Sequence, residues 1–157
     1  MLTKIISGGQ TGADIAALDA CLELDFSCGG YCPIGRYNES GKIPKRYPLI
    51  EYGLSYQERT KKNVIESDGT VIFISKFLTK GSSLTWDYCN FYKKYGIIIN
   101  INNGFNQSYV ELKDFIKKHS IHILNVAGTR ASKYPDMHGI VKDIISTVIV
   151  DNIHHCL

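Results

Sequence analysis

The first strand-like segment of the chain ends in a glycine-rich loop, and this arrangement restricts the fold more than any other feature. Residues 5–14 read IISGGQTGAD: a short apolar run, two adjacent glycines, a third glycine three residues later, and the start of an amphipathic helix pattern. This order predicts a strand, a tight loop and a helix. A helix start has unpaired N–H groups and a positive dipole end, and glycine lets that backbone approach an anion, so the loop suits a phosphate. The alternative is an ordinary turn that needs glycine only for positive φ.

The spacing of these glycines excludes the two common nucleotide-binding loops. Gly8, Gly9 and Gly12 do not fit G-x-G-x-x-G, and no Gly-Lys-Ser/Thr follows them. The loop therefore predicts a phosphate-bearing ligand without indicating ATP or a dinucleotide.

Apolar patterns typical of strands and helices alternate along the chain. Strands are predicted at 3–7, 26–30, 70–75, 97–101 and 121–126, and helices at 13–24, 54–66, 83–95, 107–119 and 136–152. The third and fourth strand segments are continuously apolar and β-branched, as in strands that helices cover on both sides. The pattern predicts an α/β fold, a three-layer sandwich with a mainly parallel central sheet and helices on both faces.

Two helical faces are predicted to pack in the core. One carries Leu84, Tyr88, Phe91, Tyr92 and Tyr95, and the other carries Met137, Ile140, Val141, Ile144, Ile145 and Val148. The irregular segment 29–53 is long for a loop inside a compact domain, which usually indicates a functional role.

Length and composition limit the class of protein. With 157 residues the chain is predicted to form one domain over 1–157, and its net charge of +3 argues against a nucleic-acid partner. The five cysteines have no disulfide or zinc spacing, so reduced thiols and no metal site are expected. Without a signal peptide or a membrane-length apolar run, a cytoplasmic protein with no membrane partner is expected. The tail residues His154 and His155 are expected to be disordered.

Three loops that follow predicted strands carry polar residues suited to an anion. They are residues 7–12, 80–85 and 125–132, and the carboxyl ends of parallel strands meet at one sheet edge. Arg130 offers a forked donor for phosphate oxygens, whereas Ser82 or Ser83 could simply be a helix N-cap. Together the loops predict a site for a phosphate-containing ligand. No Ser-His-Asp set or His-Glu-x-x-His pattern is found, and no catalytic residue is predicted.

Several motifs in combination resemble the molybdenum carrier family, which includes the molybdenum-cofactor carrier proteins. The motifs are Ser7-Gly-Gly-Gln-Thr-Gly-Ala-Asp14, Cys28-Gly-Gly-Tyr-Cys-Pro33 with Gly35-Arg36, Ile43-Pro44, Tyr47-Pro48-Leu49, Arg59-Thr60 with Asn63-Val64, Ser67-Asp68, and Asn125-Val-Ala-Gly-Thr-Arg-Ala-Ser132. The resemblance covers nearly the whole chain. The family belongs to a wider Rossmann-like superfamily that also holds the lysine-decarboxylase-like phosphoribohydrolases.

The resemblance implies a cytoplasmic Rossmann-like protein that forms a homo-oligomer, either a dimer or a tetramer. It also implies binding of molybdenum cofactor, a phosphorylated molybdopterin, for carriage or storage, with molybdoenzymes as recipients. The phosphate-side contacts that it implies are Gly8, Gly9, Gln10, Thr11 and Gly12 in the first loop, Gly81, Ser82, Ser83 and Thr85 in the second, and Gly128, Arg130 and Ser132 in the third.

Two other functions occur in the wider superfamily: phosphoribohydrolase cleavage of a nucleoside monophosphate, and nucleotide sensing. The phosphoribohydrolases carry a Pro-Gly-Gly-x-Gly-Thr-x-x-Glu segment. Here residues 80–87 read KGSSLTWD, which lacks both the glycine pattern and the glutamate. The missing glutamate favours a binding protein over an enzyme.

Overall fold

In the computed structural model, which describes residues 1–154, a five-stranded sheet lies at the centre of the molecule. In chain order the elements are β1 (Lys4–Ser7), α1 (Ala13–Glu23), β2 (Cys28–Gly29), β3 (Tyr31–Cys32), β4 (Tyr37–Asn38), β5 (Gly41–Lys42), β6 (Ile50–Glu51), α2 (Tyr56–Glu66), β7 (Gly69–Ile74), α3 (Lys80–Phe91), β8 (Tyr95–Asn100), a 3-10 turn (Ile101–Asn103), α4 (Phe105–Lys118), β9 (Ile123–Gly128) and α5 (Met137–His154). The central sheet has the order β2-β1-β9-β7-β8, and all neighbouring strands are parallel. The predicted α/β architecture is confirmed.

One face of the sheet carries the main hydrophobic core. Alternate strand residues, among them Val71, Phe73 and Leu124, are buried there together with residues of α1, α4 and α5. Full burial of one large apolar side chain is worth roughly 1.5–3 kcal/mol, so this cluster supplies most of the stabilisation of the sheet. The predicted apolar face of α5 is confirmed by the burial of Met137, Val141, Ile144, Ile145 and Val148, with the partly buried Ile140 packed against them.

The opposite face, which α2 and α3 cover, is partly polar. Thr70 of β7 and Asn125 of β9 are buried, and Asn125 Nδ2 donates to Thr70 Oγ1 over 3.2 Å. From α2, the buried residues Arg59, Thr60 and Asn63 line a small internal space together with Asn125. Buried polar groups require hydrogen-bond partners, and a ligand can provide them where other side chains do not. This polar face is therefore better suited to a binding site than to a hydrophobic core.

The segment 29–53 forms short strands around a second hydrophobic cluster, which it shares with α1. β3 pairs with β6 in parallel, and β4 pairs with β5 as an antiparallel hairpin. The buried cluster that joins the segment to α1 consists of Leu18, Cys32, Ile43, Tyr47 and Leu49. The Arg36 guanidinium fixes the path of the chain by donating to the carbonyl oxygens of Ile43, Pro44, Tyr47 and Leu49.

The third helix begins earlier than predicted. It starts at Lys80 rather than at residue 83, because the Thr79 side chain accepts a hydrogen bond from the Ser82 N–H and caps the helix. The suggestion of Ser82 or Ser83 as the N-cap is therefore wrong, and both serines lie within the first turn. The second strand is shorter than predicted, since β2 covers only two residues of the segment 26–30.

The aromatic face predicted around α3 is not part of the core. The helix ends at Phe91, so Tyr95 lies in β8 and cannot share a helical face with it. Phe91 is 76% exposed and Tyr95 is 53% exposed. The prediction of core packing for this face is wrong, and the aromatic side chains of Tyr88, Phe91 and Tyr92 form a surface cluster instead.

Residues 1–154 include four of the five cysteines, and all four are free thiols: Cys21, Cys28, Cys32 and Cys89. His154 was expected in a disordered tail, but it is the last residue of α5. His155 and Cys156 lie outside the described residues. None of the helices found in residues 1–154 has the length and apolar character needed to cross a membrane.

Candidate functional site

The candidate site lies at the carboxyl ends of the three central strands. β1, β9 and β7 are neighbours in the sheet, so the loops that follow them lie side by side. Between these loops and the first turns of α2 and α3 is a cavity of about 590 Å³, a volume typical of small-molecule sites. The three predicted polar segments therefore converge, but residues 80–85 form the start of α3 and not a loop.

Seven of the twelve predicted site residues lie at the wall of this cavity. They are Gln10, Gly81, Ser82, Ser83, Thr85, Gly128 and Arg130. The wall also contains side chains that were not predicted, including Asp14, Tyr56, Arg59, Thr60, Lys80 and Asp87. The other five predicted residues, Gly8, Gly9, Thr11, Gly12 and Ser132, contact neighbouring parts of the protein. Direct contact with a ligand stays a prediction for all twelve.

Arg59 places a buried cation at the base of the cavity. Its side chain is 11% exposed, and its Nη1 donates to Thr60 Oγ1 over 3.0 Å. Its Nε is buried and has no hydrogen-bond partner among the described residues. Leaving a buried donor without an acceptor is costly, so this N–H indicates a position for an anion.

Gly8 provides the space that the Arg59 guanidinium occupies. A Cβ at Gly8 would lie 2.0 Å from Arg59 Nη1. Asp14 Oδ2 lies 3.8 Å from the same nitrogen. Burial raises the pKa of Asp14 against the opposing effect of Arg59, and burial also lowers the pKa of Arg59. At 3.8 Å the two groups form an ion pair without a hydrogen bond.

The first turn of α3 presents a helix N-terminus to the cavity. Lys80 and Gly81 lie at the cavity wall, and helix geometry leaves their N–H groups without an acceptor inside the helix. A Cβ at Gly81 would meet nothing within 4 Å, so the approach to this turn is open. The positive end of the helix dipole therefore adds to the charges of Arg59 and Arg130.

The N–H groups of the first loop are directed largely at the protein itself. The Gly9 N–H donates to Ser7 Oγ, the Gln10 N–H to Asp14 Oδ2, and the Thr11 N–H to Gln10 Oε1. Since these three groups already have acceptors, the donors that this loop offers to the cavity are side chains.

Two glycines of this loop are required by its backbone conformation. Gly9 and Gly12 have φ values of +74° and +81°, which other residues rarely adopt. A Cβ at Gly9 would lie 2.6 Å from Leu49 Cδ1, and one at Gly12 would lie 2.3 Å from the Thr129 carbonyl oxygen. Both glycines serve the turn and its close packing.

Gln10 offers a second donor without an acceptor. Its Oε1 accepts from the N–H groups of Thr11 and Glu39, at 3.1 Å and 3.0 Å. Its Nε2 is buried and lacks a hydrogen-bond partner in the part of the chain that the structure describes. The amide is therefore held at its oxygen, while its nitrogen has no acceptor among the described residues.

Glu39, between β4 and β5, joins the first and third loops. Its carboxylate accepts from Thr11 Oγ1, from the Ser132 N–H at 3.1 Å and from Ser132 Oγ at 2.6 Å. Arg130 Nη1 lies 3.5 Å from Glu39 Oε2. Burial favours a higher pKa for Glu39, but the hydrogen bonds from Ser132 and Thr11 outweigh it, so the pKa is lowered.

Over residues 1–154 the structure contains no group of three or more His, Cys, Asp or Glu side chains that could hold a metal ion. The donors at the cavity are instead guanidinium, ammonium, amide and hydroxyl groups together with a helix N-terminus. This set of groups is suited to bind phosphate oxygens and polar ring atoms.

Comparison with known proteins identifies the relatives of this chain. A family model described as the circularly permutated YpsA SLOG family matches residues 5–149. The crystal structure of a protein from Syntrophus aciditrophicus, named "Putative molybdenum carrier protein", is 39% identical and has a TM-score of 0.91, covering 94% of this chain and 94% of that chain. No match was found among curated proteins.

These findings confirm the resemblance to molybdenum carrier proteins and the Rossmann-like fold that it implied. The matched residues include the three loops that surround the cavity. They also include the whole central sheet except Lys4. The chain belongs to the circularly permutated YpsA SLOG family.

Proposed function

We propose that this protein binds molybdenum cofactor, a phosphorylated molybdopterin, and carries or stores it without a chemical step. The main support is the pair of buried donors without partners, Arg59 Nε and Gln10 Nε2, at a cavity of about 590 Å³. The relative named as a molybdenum carrier protein guides the choice of ligand. In this proposal the carrier acts in the cytoplasm, and its recipients are molybdoenzymes.

The residues at the wall fit the phosphate end of this ligand. Arg59, Lys80 and Arg130 provide three cationic side chains, against the two carboxyl groups of Asp14 and Asp87. A hydrogen bond to a charged group is worth about 1.5–3 kcal/mol. Two or three such bonds would make the phosphate a principal source of affinity.

The rest of the wall fits a flat heterocycle with polar edges. Tyr56 lies at the wall, with Arg130 Cζ 5.8 Å from the centre of its ring. Hydroxyl groups of Thr60, Ser83 and Thr85 also lie at the wall, although that of Thr85 donates to the Gly81 carbonyl oxygen and that of Thr60 accepts from Arg59. An aromatic ring and hydroxyl groups suit a pterin. The molybdenum of the bound cofactor would be used by the recipient enzyme and would take part in no reaction on this protein.

The small molecules that the protein retains on purification test this proposal. Protein purified from cells that make molybdenum cofactor should release a compound with the mass and absorbance spectrum of molybdopterin. Arg59→Met should release much less, whereas Arg46→Met is the matched control because the Arg46 side chain is 66% exposed and does not line the cavity. Equal retention by the wild type and Arg59→Met would contradict the assignment of this cavity.

A direct affinity measurement addresses the phosphate. Calorimetry should show that molybdopterin binds at least about tenfold more tightly than its dephosphorylated form, because one lost charge-assisted hydrogen bond already costs that much. Equal affinities for the two forms would contradict a phosphate-binding role.

One observation favours a second candidate, hydrolysis of a nucleoside monophosphate at its N-glycosidic bond. Asp14 is buried at the cavity wall and burial raises its pKa, as is common for a general acid. Incubation with AMP and water tests this function, because cleavage would release free adenine and ribose 5-phosphate. Binding of AMP without release of adenine would instead support a nucleotide sensor.

A further inference from the structure

Resting on the proposed function, we propose that Glu39 is a positioning residue for phosphate binding, because it holds the Arg130 guanidinium at the wall of the cavity. Glu39 is not itself among the residues that line the cavity, whereas Arg130 is. The carboxylate therefore acts on a ligand through Arg130.

Groups other than Arg130 hold the carboxylate of Glu39 in position. Ser132 donates to it from both its N–H and its hydroxyl, at 3.1 Å and 2.6 Å, and Thr11 donates from its hydroxyl. Three donors from two loops leave the carboxylate little freedom to move. Its Oε2 lies 3.5 Å from Arg130 Nη1, so the rigid group sits directly beside the guanidinium.

Arg130 depends on such support because it lies in a loop and its side chain is 35% exposed. A long, partly exposed side chain loses rotamer freedom when it binds a ligand, and this loss weakens binding. Its neighbours include Glu39 and the ring of Tyr56, whose centre lies 5.8 Å from Cζ, and the charged groups of Asp14 and Arg59 also interact with it. Glu39 reduces the entropic cost by holding the guanidinium in place before the ligand arrives.

The hairpin that carries Glu39 is docked on the same loop by two further contacts. Asn38 Nδ2 donates to the Gly9 carbonyl oxygen over 2.9 Å, and the Glu39 N–H donates to Gln10 Oε1 over 3.0 Å. These contacts remain when the carboxylate is changed to an amide. Glu39→Gln therefore removes the charge beside Arg130 without removing either of these two contacts.

The test is a double-mutant cycle with orthophosphate as the probe, measured by calorimetry on the full chain. Glu39→Gln should bind orthophosphate roughly fivefold more weakly than the wild type, a coupling of the size seen between contacting residues. In the Arg130→Ala background the same change should have less than about a twofold effect, because the group through which Glu39 acts is gone. Glu51→Gln is the matched control, since Glu51 also accepts a main-chain N–H, from Gly35, and also lies outside the cavity wall, but the described residues show no ion pair between it and Arg130.

The other outcomes of this cycle would contradict either the positioning role of Glu39 or the phosphate site itself. Unchanged affinity in Glu39→Gln, or equal effects of that change with and without Arg130, would show that Glu39 has only a structural role. Tighter binding in Glu39→Gln would show that the carboxylate competes with the anion. If the wild type binds no orthophosphate, the proposed phosphate site itself fails, and the positioning role fails with it.

A second variant keeps the test decisive if Glu39→Gln does not fold. Ser132→Ala removes the hydroxyl donor that lies 2.6 Å from Glu39 Oε2 and leaves Arg130 in place. It should weaken orthophosphate binding about two- to threefold, less than the loss of the charge itself. Affinity equal to that of the wild type would contradict the positioning role.

Discussion

At the scale of single residues, Arg59 and Gly8 build the base of the cavity together. The guanidinium occupies the space that any side chain at position 8 would need. Its Nη1 lies between Thr60 Oγ1 at 3.0 Å and Asp14 Oδ2 at 3.8 Å. The first loop and α2 are therefore held together around one buried charge.

We predict that Gly8→Ala weakens phosphate binding by displacing Arg59. The new methyl group would lie 2.0 Å from Nη1, and overpacking of this kind costs about 1 kcal/mol or more. Calorimetry with orthophosphate and urea unfolding measure the two effects. Gly81→Ala is the control for stability, since its Cβ meets nothing within 4 Å, and it should be neutral or stabilising by up to about 1 kcal/mol. Normal phosphate affinity in Gly8→Ala would show that Arg59 does not bind the anion.

Arg59 and Glu39, both absent from the twelve predicted site residues, differ in how readily the sequence could have indicated them. Residues 59, 60, 63 and 64 share one face of α2, and Val64 on that face is fully buried. Polar residues on a buried helical face indicate a polar site, so Arg59 carried a readable signal. Glu39 carried none, because its partners Thr11 and Ser132 are 28 and 93 residues away.

At the scale of elements, the β4–β5 hairpin fastens the first loop to the third. Its Glu39 carboxylate supplies the acceptor that the hydroxyl groups of Thr11 and Ser132 share. These hydroxyl groups were predicted to contact a ligand, and in the structure they contact a carboxylate of the protein. Two of the donors that were expected to bind an external anion therefore bind the Glu39 carboxylate and hold the hairpin in place.

We predict that this hairpin makes the stability of the free protein depend on pH at acidic values. The pKa of Glu39 is lower in the folded state than the unfolded value of about 4.3. The stabilisation is therefore fully present above about pH 4.3 and is lost as the pH falls through the lower folded value. Urea unfolding of the wild type and Glu39→Gln at about pH 7, 5 and 3 should show a difference that persists at pH 5 and shrinks at pH 3. A difference that stays constant over this range would contradict the prediction.

Helices and strands were predictable because their apolar periodicity is local. The start of α3 was missed because the Thr79 cap adds a polar first turn with no apolar repeat. The strand order β2-β1-β9-β7-β8 could not be derived from the sequence, because it depends on pairing between distant segments. The polar loops converge as predicted, since parallel strands place their carboxyl ends at one edge in any order.

At the scale of the whole molecule, the surface cluster of Tyr88, Phe91 and Tyr92 lies outside both hydrophobic clusters found in residues 1–154. Its rings contact one another, with centres 6.3 Å apart for Tyr88 and Tyr92 and 4.9 Å apart for Phe91 and Tyr92. Exposed aromatic clusters are enriched at protein interfaces. The homo-oligomer that the resemblance implied stays a prediction, and this cluster is the surface that we expect it to use.

We predict that Phe91→Glu shifts the protein toward a monomer. A charge at a side chain that is 76% exposed should not unfold the chain, but it would oppose burial of that side chain against a second copy. Light scattering should give a multiple of 17.6 kDa for the wild type and about 17.6 kDa for the variant. Phe105→Glu is the control, because Phe105 lies on α4 and its side chain is 42% exposed. This change should leave the mass unchanged. A monomeric wild type would contradict the expected oligomer.

Beyond β2, the segment 29–53 packs in a hydrophobic cluster that it shares with Leu18 of α1 and that is separate from the main core, so we expect this part to open while the sheet stays intact. In thermodynamic terms we expect it to behave as a separate cooperative unit, whose opening requires less free energy than global unfolding. Amide hydrogen exchange should therefore be faster at Ile43 and Leu49 than at Val71 in the centre of the sheet. Opening would remove Glu39 and its hairpin from the first loop. The rate at which a ligand enters and leaves the cavity would then depend on the stability of this segment and not on the stability of the whole molecule.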